Sequence, residues 1–417
     1  MKAFIETYGC AFNRVDSDSI VQALQREGTE ITTSQSDAEV IIINSCGVKN
    51  ATESRILHRL RQLAKKRVPT VVTGCLAQAT PERISKANPV ACIVGTYSQT
   101  ALAKAVRAAF KGKQFRSLAI EGFLPRVPAV HGVTATIQIA RGCLGSCSFC
   151  QTRLARGRLE SIPPKQVVQQ CETALAKGAK EIHLTAQDTA GYGLDCNTTL
   201  AELLNAMTAL PVKFRVRVGM ANPEHILRIL PELLDAFDNP KIYKFVHAPL
   251  QSGSNIVLKA MNRNHSAEDF LQVASAFHNR FKECTIVTDA ITGFPTETED
   301  DFNQTLKVIK KAAPDVVNVS RYSPRPNTAA AALKLLPDEV VSERTRRCAA
   351  LCNKMSLRNR KKKITRQTAL VTQRINGNWI AHLENYYPIP LKKATLGEFV
   401  KICPATAADA LEGSEFA

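Results

Sequence analysis

Ten residues, Arg141-Gly142-Cys143-Leu144-Gly145-Ser146-Cys147-Ser148-Phe149-Cys150, constrain this chain more than any other stretch. Three cysteines stand there at Cys-x3-Cys-x2-Cys spacing, among two glycines. Iron–sulfur clusters are held by cysteine thiolates, ordinarily four to a cubane. A loop that supplies three leaves one iron open to another ligand. Structural zinc closes its shell with a fourth Cys or His, and none follows nearby; His131 is twelve residues upstream, beyond an expected strand. The loop therefore reads as a three-thiolate cluster seat, with Cys143, Cys147 and Cys150 as ligands.

With Phe149 just before its last cysteine, the loop resembles the signature of the radical S-adenosylmethionine (SAM) superfamily. The resemblance implies that the open iron binds the amino and carboxylate groups of SAM. One electron then splits SAM into methionine and a 5′-deoxyadenosyl radical. The chemistry belongs to the cofactors, and the protein positions them and excludes water.

The chain has 417 residues, room for two or three domains, and 45 % hydrophobic residues, enough for packed cores. Its net charge of +18 favours an anionic partner such as nucleic acid. Thirteen cysteines in a chain this long, an odd number, fit metal ligation in a reducing compartment rather than a disulfide scaffold. The start, Met1-Lys2-Ala3-Phe4-Ile5-Glu6, does not read as a signal peptide, and no run reaches the ~18 apolar residues of a membrane span. A cytoplasmic protein with no membrane partner is expected.

Residues 1–115 alternate short apolar runs with helical stretches. Lys2–Thr7, Val40–Asn44, Thr70–Thr73 and Ala91–Val94 read as strands, and Asp16–Arg26, Ala51–Lys65, Pro81–Lys86 and Gln99–Phe110 as helices. Apolar strands between helices imply a doubly wound parallel-sheet α/β domain. Cys10, Cys46 and Cys75 each follow a strand and each has a glycine beside it. Ligand crevices in such sheets lie beyond the carboxyl ends of the strands, so the three converge on a second three-thiolate site. As single residues they would read as small buried hydrophobes. Together the two cysteine sets resemble the radical SAM methylthiotransferases, across nearly the whole chain. The family's Asn-Thr-Cys stands here as Asn44-Ser45-Cys46, with the ligand in place.

Residues 116–134, with Leu124-Pro125-Arg126-Val127-Pro128, read as an extended linker. In residues 135–330, strands are expected at Thr136–Ala140, Glu181–Thr185, Lys213–Val218, Lys241–His247, Thr285–Ile291 and Val316–Ser320, separated by helices. Six such units suggest a partial (βα)6 barrel resembling a TIM barrel, with chemistry at the strands' carboxyl ends. The resemblance places Gln187 and Asp188 at the methionine part of SAM, Phe149 at the adenine through its backbone, and Gly293 where adenine and ribose approach the fifth strand. Gln251 and Arg217 are further cofactor contacts by the same resemblance, Arg217 standing equally well as half of a buried ion pair. His247 reads as a hydrogen-bonded structural histidine rather than a catalytic one. No general base is sought, because the radical takes hydrogen directly.

Residues 331–366 form a basic helical connector. Arg344 to Arg366 holds ten Lys or Arg and no Asp or Glu, densest at Arg358-Asn359-Arg360-Lys361-Lys362-Lys363. Unbalanced cations repel, and a polyanion relieves them, so an RNA phosphate track is expected. Cys348 and Cys352 share one helix face and read as core. Residues 367–404 alternate about Asn376-Gly377, a hairpin signal. They resemble the TRAM domain, a small antiparallel RNA-binding β-domain, with Trp379 as core. Residues 405–417 read as a disordered tail.

The resemblance implies an enzyme that replaces C–H by C–S–CH3, with two [4Fe-4S] clusters, SAM as methyl donor and radical source, a flavodoxin or ferredoxin as electron donor, and a sulfur donor left open. Gln151-Thr152-Arg153-Leu154-Ala155-Arg156-Gly157-Arg158 resembles the archaeal and eukaryotic branch, which acts on N6-threonylcarbamoyladenosine beside the tRNA anticodon, at position 37. Its arginines suit an anionic base, and the lack of a terminal membrane anchor points to the archaeal side. The alternatives are isopentenyladenosine tRNA, a ribosomal-protein aspartate, and a non-enzymatic RNA-binding protein with zinc sites.

Overall fold

The computed structural model describes residues 1–47, 50–120 and 127–402. The expected tail and part of the linker lie outside the described residues, as do the side chains of Arg360, Lys361 and Lys362.

The first layer is a six-stranded parallel sheet: β1 (Lys2–Thr7), β2 (Glu30–Ile31), β3 (Val40–Ser45), β4 (Thr70–Gly74), β5 (Cys92–Val94) and β6 (Arg116–Ser117). Its order is β2-β1-β3-β4-β5-β6. β3 is buried at every position because helices cover both faces. Val40, Ile42 and Val71 face one core with Leu102 and Val106, while Ile41, Ile43 and Val72 face another with Ile56 and Leu60. The strand order reverses between β1 and β3, which places the sheet's crevice at the ends of those two strands.

The expected linker is paired at both ends. β6 extends the first sheet, and β7 (Val130–His131) pairs antiparallel with β8 (Thr134–Gln138). Short β-bridging segments were invisible to periodicity because two residues carry no repeat.

The second layer is the partial barrel. After β8 come β9 (Ala140–Arg141), β10 (Glu160–Ser161), β11 (Glu181–Thr185), β12 (Arg215–Arg217), β13 (Phe245–His247), β14 (Thr285–Thr292) and β15 (Val316–Arg321). β8, β11 and β12 are parallel neighbours, as are β13, β14 and β15. Parallel bridges Val216–Ile242 and Met220–His247 join the two groups. Ile137, Ile182, Leu184, Val216 and Ile286 face the helices in one core. By alternation, His183, Arg217, Phe245, His247 and Asp289 face the lumen.

The third unit is a four-stranded antiparallel sheet, β16 (Gln367–Ile375), β17 (Asn378–His382), β18 (Pro388–Leu391) and β19 (Phe399–Ile402), ordered β18-β17-β16-β19. Asn376 and Gly377 take φ of 49° and 84°, as a two-residue hairpin of this twist requires. Half-buried Trp379 packs on the sheet's core beneath Arg374.

The helix Asp338–Lys363 corrects one expectation in part. Four of its cations have counter-charges, for three of them supplied from elsewhere in the chain. Arg344 pairs with Glu297 and Glu299, Arg347 with Glu299, Arg346 with Glu343, and Lys363 with Asp315. Local sequence showed the basic run and not the carboxylates that fold against it. Cys348 and Cys352 lie buried in the barrel core, their sulfurs 4.0 Å apart.

Candidate metal centre and cofactor cradle

Cys10, Cys46 and Cys75 begin from three different strand ends and meet around Asn13. Asn13 Nδ2 donates to the carbonyls of Tyr8 (2.8 Å) and Ser45 (3.0 Å), tying the turns after β1 and β3 together. Its Oδ1 lies 4.0 Å from Cys10 Sγ and 3.8 Å from Cys75 Sγ. Gly9, at φ +109°, lets the first turn close: a Cβ there would fall 2.7 Å from Cys46 Cβ and 2.8 Å from its Sγ. Burial, above all, pushes the Cys75 thiol up to about 11, with Arg156 opposing and Asp16, Cys46 and Cys10 adding like charge.

Arg156 comes from the second cysteine loop's own helix, Thr152–Arg156. It is fully buried in the first site. Its Nε donates to Cys75 Sγ (3.2 Å), Nη1 to Asp16 (2.5 Å) and Tyr97 OH (3.3 Å), and Nη2 to Asn13 Oδ1 (2.9 Å). The reading of the 153–158 arginines as contacts for an anionic base is therefore corrected for Arg156. It is spent on Cys75 and Asp16. Nothing in the residue spacing pointed to it, since its partners lie 81 and 140 residues away.

The second triad has an N–H donor at each sulfur. Gly145 N donates to Cys143 Sγ (3.3 Å), Arg263 Nη1 to Cys147 Sγ (3.3 Å) and Thr152 N to Cys150 Sγ (3.3 Å). A Cβ on Gly145 would lie 3.4 and 3.7 Å from the Cys143 and Cys147 sulfurs, so the loop wraps closely over both. Burial pushes Cys143 up to about 12 and raises Cys150. N–H donation is how proteins stabilise cluster-bound thiolates and tune them. The triads thus fit thiolates that receive their charge compensation from iron and from these donors. Among the described residues no three His, Cys, Asp or Glu are grouped to hold a single metal ion.

The two triads share a space. Thr96 Oγ1 donates to Ala155 O (2.5 Å), and Gln151 Oε1 comes against Gly47. Arg325, paired with Glu53 at 2.8 Å, feels the charge of Cys46 in one triad and Cys150 in the other.

Around the second triad, Gln187 keeps Oε1 buried without a partner among the described residues. Asp188 is already engaged: it accepts from Asn222 N (3.0 Å) and Nδ2 (2.7 Å), and stands 2.5 Å from His225 Nδ1. Burial alone would raise its pKa, but His225 and Asn222 outweigh that and hold it below the ordinary carboxylate value. Asn222 Oδ1 accepts from Arg263 Nη2 (2.5 Å), completing a chain from Asp188 to Cys147. Arg263, Asn222 and His225 escaped the sequence reading because their partners lie in other βα units. Gln251 takes φ +66° and bridges Ala290 of β14, its N–H donating to Asp289 O (2.8 Å). Phe149 packs against the cluster of Val257, Met261, Phe294 and Ala330. A Cβ on Gly293 would fall 2.6 Å from the Val341 side chain, so this glycine also admits the helix Asp338–Lys363. Arg217 lies in the barrel lumen over the Phe245 and Tyr386 rings, and His247 Nε2 is 2.8 Å from Asp289.

Comparison with known proteins gives two family matches: the radical SAM superfamily over residues 137–309 and the uncharacterized protein family UPF0004 over residues 2–95. The chain is 40 % identical to a probable threonylcarbamoyladenosine tRNA methylthiotransferase of Pyrococcus horikoshii, covering 96 % of this chain and 95 % of that protein. A protein of the same description from Archaeoglobus fulgidus is also 40 % identical, with the same coverage. The threonylcarbamoyladenosine tRNA methylthiotransferase of Drosophila melanogaster is 34 % identical over 84 % of this chain and 65 % of its own length. Among solved structures, the radical SAM methyltransferase TsrM from Kitasatospora setae, with cobalamin and a [4Fe-4S] cluster bound, shares the fold with a TM-score of 0.58 at 15 % identity, over 79 % of this chain and 76 % of that one.

Proposed function

The chain belongs to the threonylcarbamoyladenosine tRNA methylthiotransferase family, and on that premise we propose that it converts N6-threonylcarbamoyladenosine in tRNA to its 2-methylthio derivative. The observation that carries the reading is Arg156, which from the helix following the second cysteine triad donates to Cys75 Sγ of the first, in a chain 40 % identical to such proteins nearly end to end. Its cofactors are two [4Fe-4S] clusters and SAM. When bound, they supply the radical that removes the C2 hydrogen, and the sulfur and methyl group that replace it.

The chain's own residues hold and orient these groups. We assign Cys10, Cys46 and Cys75 to one cluster and Cys143, Cys147 and Cys150 to the other. Arg156 and Arg263 donate to one sulfur of each. Gln187, Phe149, Gln251 and the main chain at Gly293 form the SAM cradle, with Asp188 fixing its wall through Asn222 and His225. Residues 1–115 form the first cluster domain, 135–330 the barrel and 367–404 the RNA-binding sheet, joined by the stretches 116–134 and 331–366. A flavodoxin or ferredoxin supplies electrons, and the protein works in the cytoplasm; among the described residues no helix is long and apolar enough to cross a membrane.

Nucleoside mass spectrometry of tRNA from a deletion strain tests the reading. Loss of methylthio-threonylcarbamoyladenosine, restored by the wild-type gene and not by Cys46→Ala, is expected. Unchanged levels would refute it. Iron counts separate the zinc alternative: about eight irons per anaerobically reconstituted chain are expected, and zinc without iron would support the rival.

A further inference from the structure

The barrel lumen contains a cation without an ionic partner among the described residues. The two carboxylates that face it are both engaged. Glu181 is held by Tyr243 OH, His382 Nδ1 and Thr134 Oγ1, each at 2.9 Å, and by His183 at the same distance. Asp289 is held by His247 (2.8 Å) and Asn318 Nδ2 (2.9 Å). Arg217 pairs in register with His183, and no carboxylate of the described residues lies within ion-pair distance of its guanidinium. Its Nε is buried with no hydrogen-bond partner among the described residues. Its planar face is covered by the rings of Phe245 and Tyr386, 4.6 and 5.1 Å from the guanidinium carbon. Stacking of that kind leaves the N–H edge available, and the edge matches a carboxylate in fork geometry.

The depth of Arg217 matters. It pairs in register with His183, two residues toward the strand starts from Thr185, which pairs with Gln138 just before the cysteine loop. That sets it about 7 Å below the level of Thr185. Tyr386 reaches in from the C-terminal sheet, packing on Tyr243 and Phe245, and so closes the lumen floor.

We propose that Arg217, framed by Phe245 and Tyr386, receives the carboxylate of the threonylcarbamoyl group and thereby sets the enzyme's choice of base. This rests on the proposed function and names the contact by which its substrate is selected. A base whose C2 faces the cluster end carries its N6 substituent away from that end, deeper into the lumen. A threonylcarbamoyl group ends in a carboxylate and an isopentenyl group in methyls, so a partnerless guanidinium accepts the first and is left desolvated by the second. The C-terminal sheet then does more than hold RNA: through Tyr386 it supplies one wall of the substrate pocket.

The test uses reconstituted full-length protein and three forms of one tRNA: threonylcarbamoylated, carrying the methyl ester of that group, and unmodified. Equilibrium affinities, SAM affinity and iron content are measured for wild type, Arg217→Met and Arg217→Lys. Wild type is expected to prefer the free acid over both other forms by about ten- to a hundredfold. Arg217→Met should erase that preference while leaving affinity for unmodified tRNA, SAM and iron unchanged, and Arg217→Lys should retain part of it. A preference that survives in Arg217→Met overturns the proposal. So does an equal loss of affinity for all three tRNAs, which would make Arg217 a domain-docking residue. A fall confined to SAM affinity would also overturn it, because the carboxylate would then be that of SAM. If wild type prefers the acid yet makes no methylthio product, the proposed function fails while the pocket stands.

Discussion

At the scale of single residues, the grouping of Cys10, Cys46 and Cys75 around Asn13 and of Cys143, Cys147 and Cys150 in one loop could be anticipated from spacing, because a short motif and repeated strand-end positions leave a trace in sequence. The residues that condition those sulfurs leave none. Arg156 is 2 % exposed and reaches Cys75, Asp16 and Asn13 from the far side of the chain. Replacing it with methionine removes the N–H donor to Cys75 and takes the Arg156 cation from the largely buried Asp16 carboxylate. Loss of one partner of a buried pair costs about 3–5 kcal/mol. Arg156→Met is therefore expected to unfold at markedly lower denaturant. Its iron content should fall from about eight toward about four per chain, the remaining cluster being that of the second triad. Arg156→Lys should keep more of both. An unchanged iron count in Arg156→Met would show that the arginine plays no part in assembling the first site.

At the scale of elements, the long strands and amphipathic helices were legible because buried parallel strands such as β3 are continuous apolar runs. The two-residue β6 and β7 were not, since their pairing is set by neighbours distant in sequence. The same division applies at the end of β11, where Asp188 was legible as a site residue but its partner His225, on the helix Pro223–Arg228, was not. This pair locks the β11 turn to the β12 turn. Burial disfavours the charged His225, yet the Asp188 hydrogen bond and charge win and raise its pKa above 6.5. A raised histidine pKa gives stability that is complete below about pH 6.5 and is lost as pH climbs through the native value. Asp188, lowered below 3.8, contributes stability present above the ordinary carboxylate pKa and lost as pH falls through its own. Wild type should thus exceed His225→Gln by about 1.5–3 kcal/mol between pH 4 and 6.5. The gap should narrow on the alkaline side of that window and in strong acid. Denaturant titrations of both proteins across pH would check it, and a gap independent of pH would mean that the pair is neutral.

At the scale of the whole molecule, a charge of +18 indicates a polyanionic partner but not which face meets it. On the basic helix Asp338–Lys363 part of the charge is already balanced within the chain. Arg344, Arg347 and Lys363 are committed to Glu297, Glu299 and Asp315 and hold the helix to the barrel. The C-terminal sheet offers uncommitted cations: Arg374, Lys392, Lys393 and Lys401 are all exposed there and, like Lys354 and Arg358 on the helix, have no ion pair among the described residues. The two groups predict different salt behaviour. A cation that neutralises a phosphate releases a counterion, and each such contact contributes about one unit to the slope of log affinity against log salt. Changing Lys392 and Lys393 together to glutamate should flatten that slope for tRNA by about two units, with thermal stability nearly unchanged because surface substitutions cost little. Arg344→Met should behave in the opposite way. It leaves Glu297, 1 % exposed, without its cation, so the protein should lose about 3–5 kcal/mol of stability while the folded fraction binds tRNA with the wild-type slope. Filter-binding isotherms over a salt series, made below the variant's unfolding transition, separate the two. If the slope follows Arg344 and ignores Lys392 and Lys393, the RNA path runs along the helix and its ion pairs must open on binding.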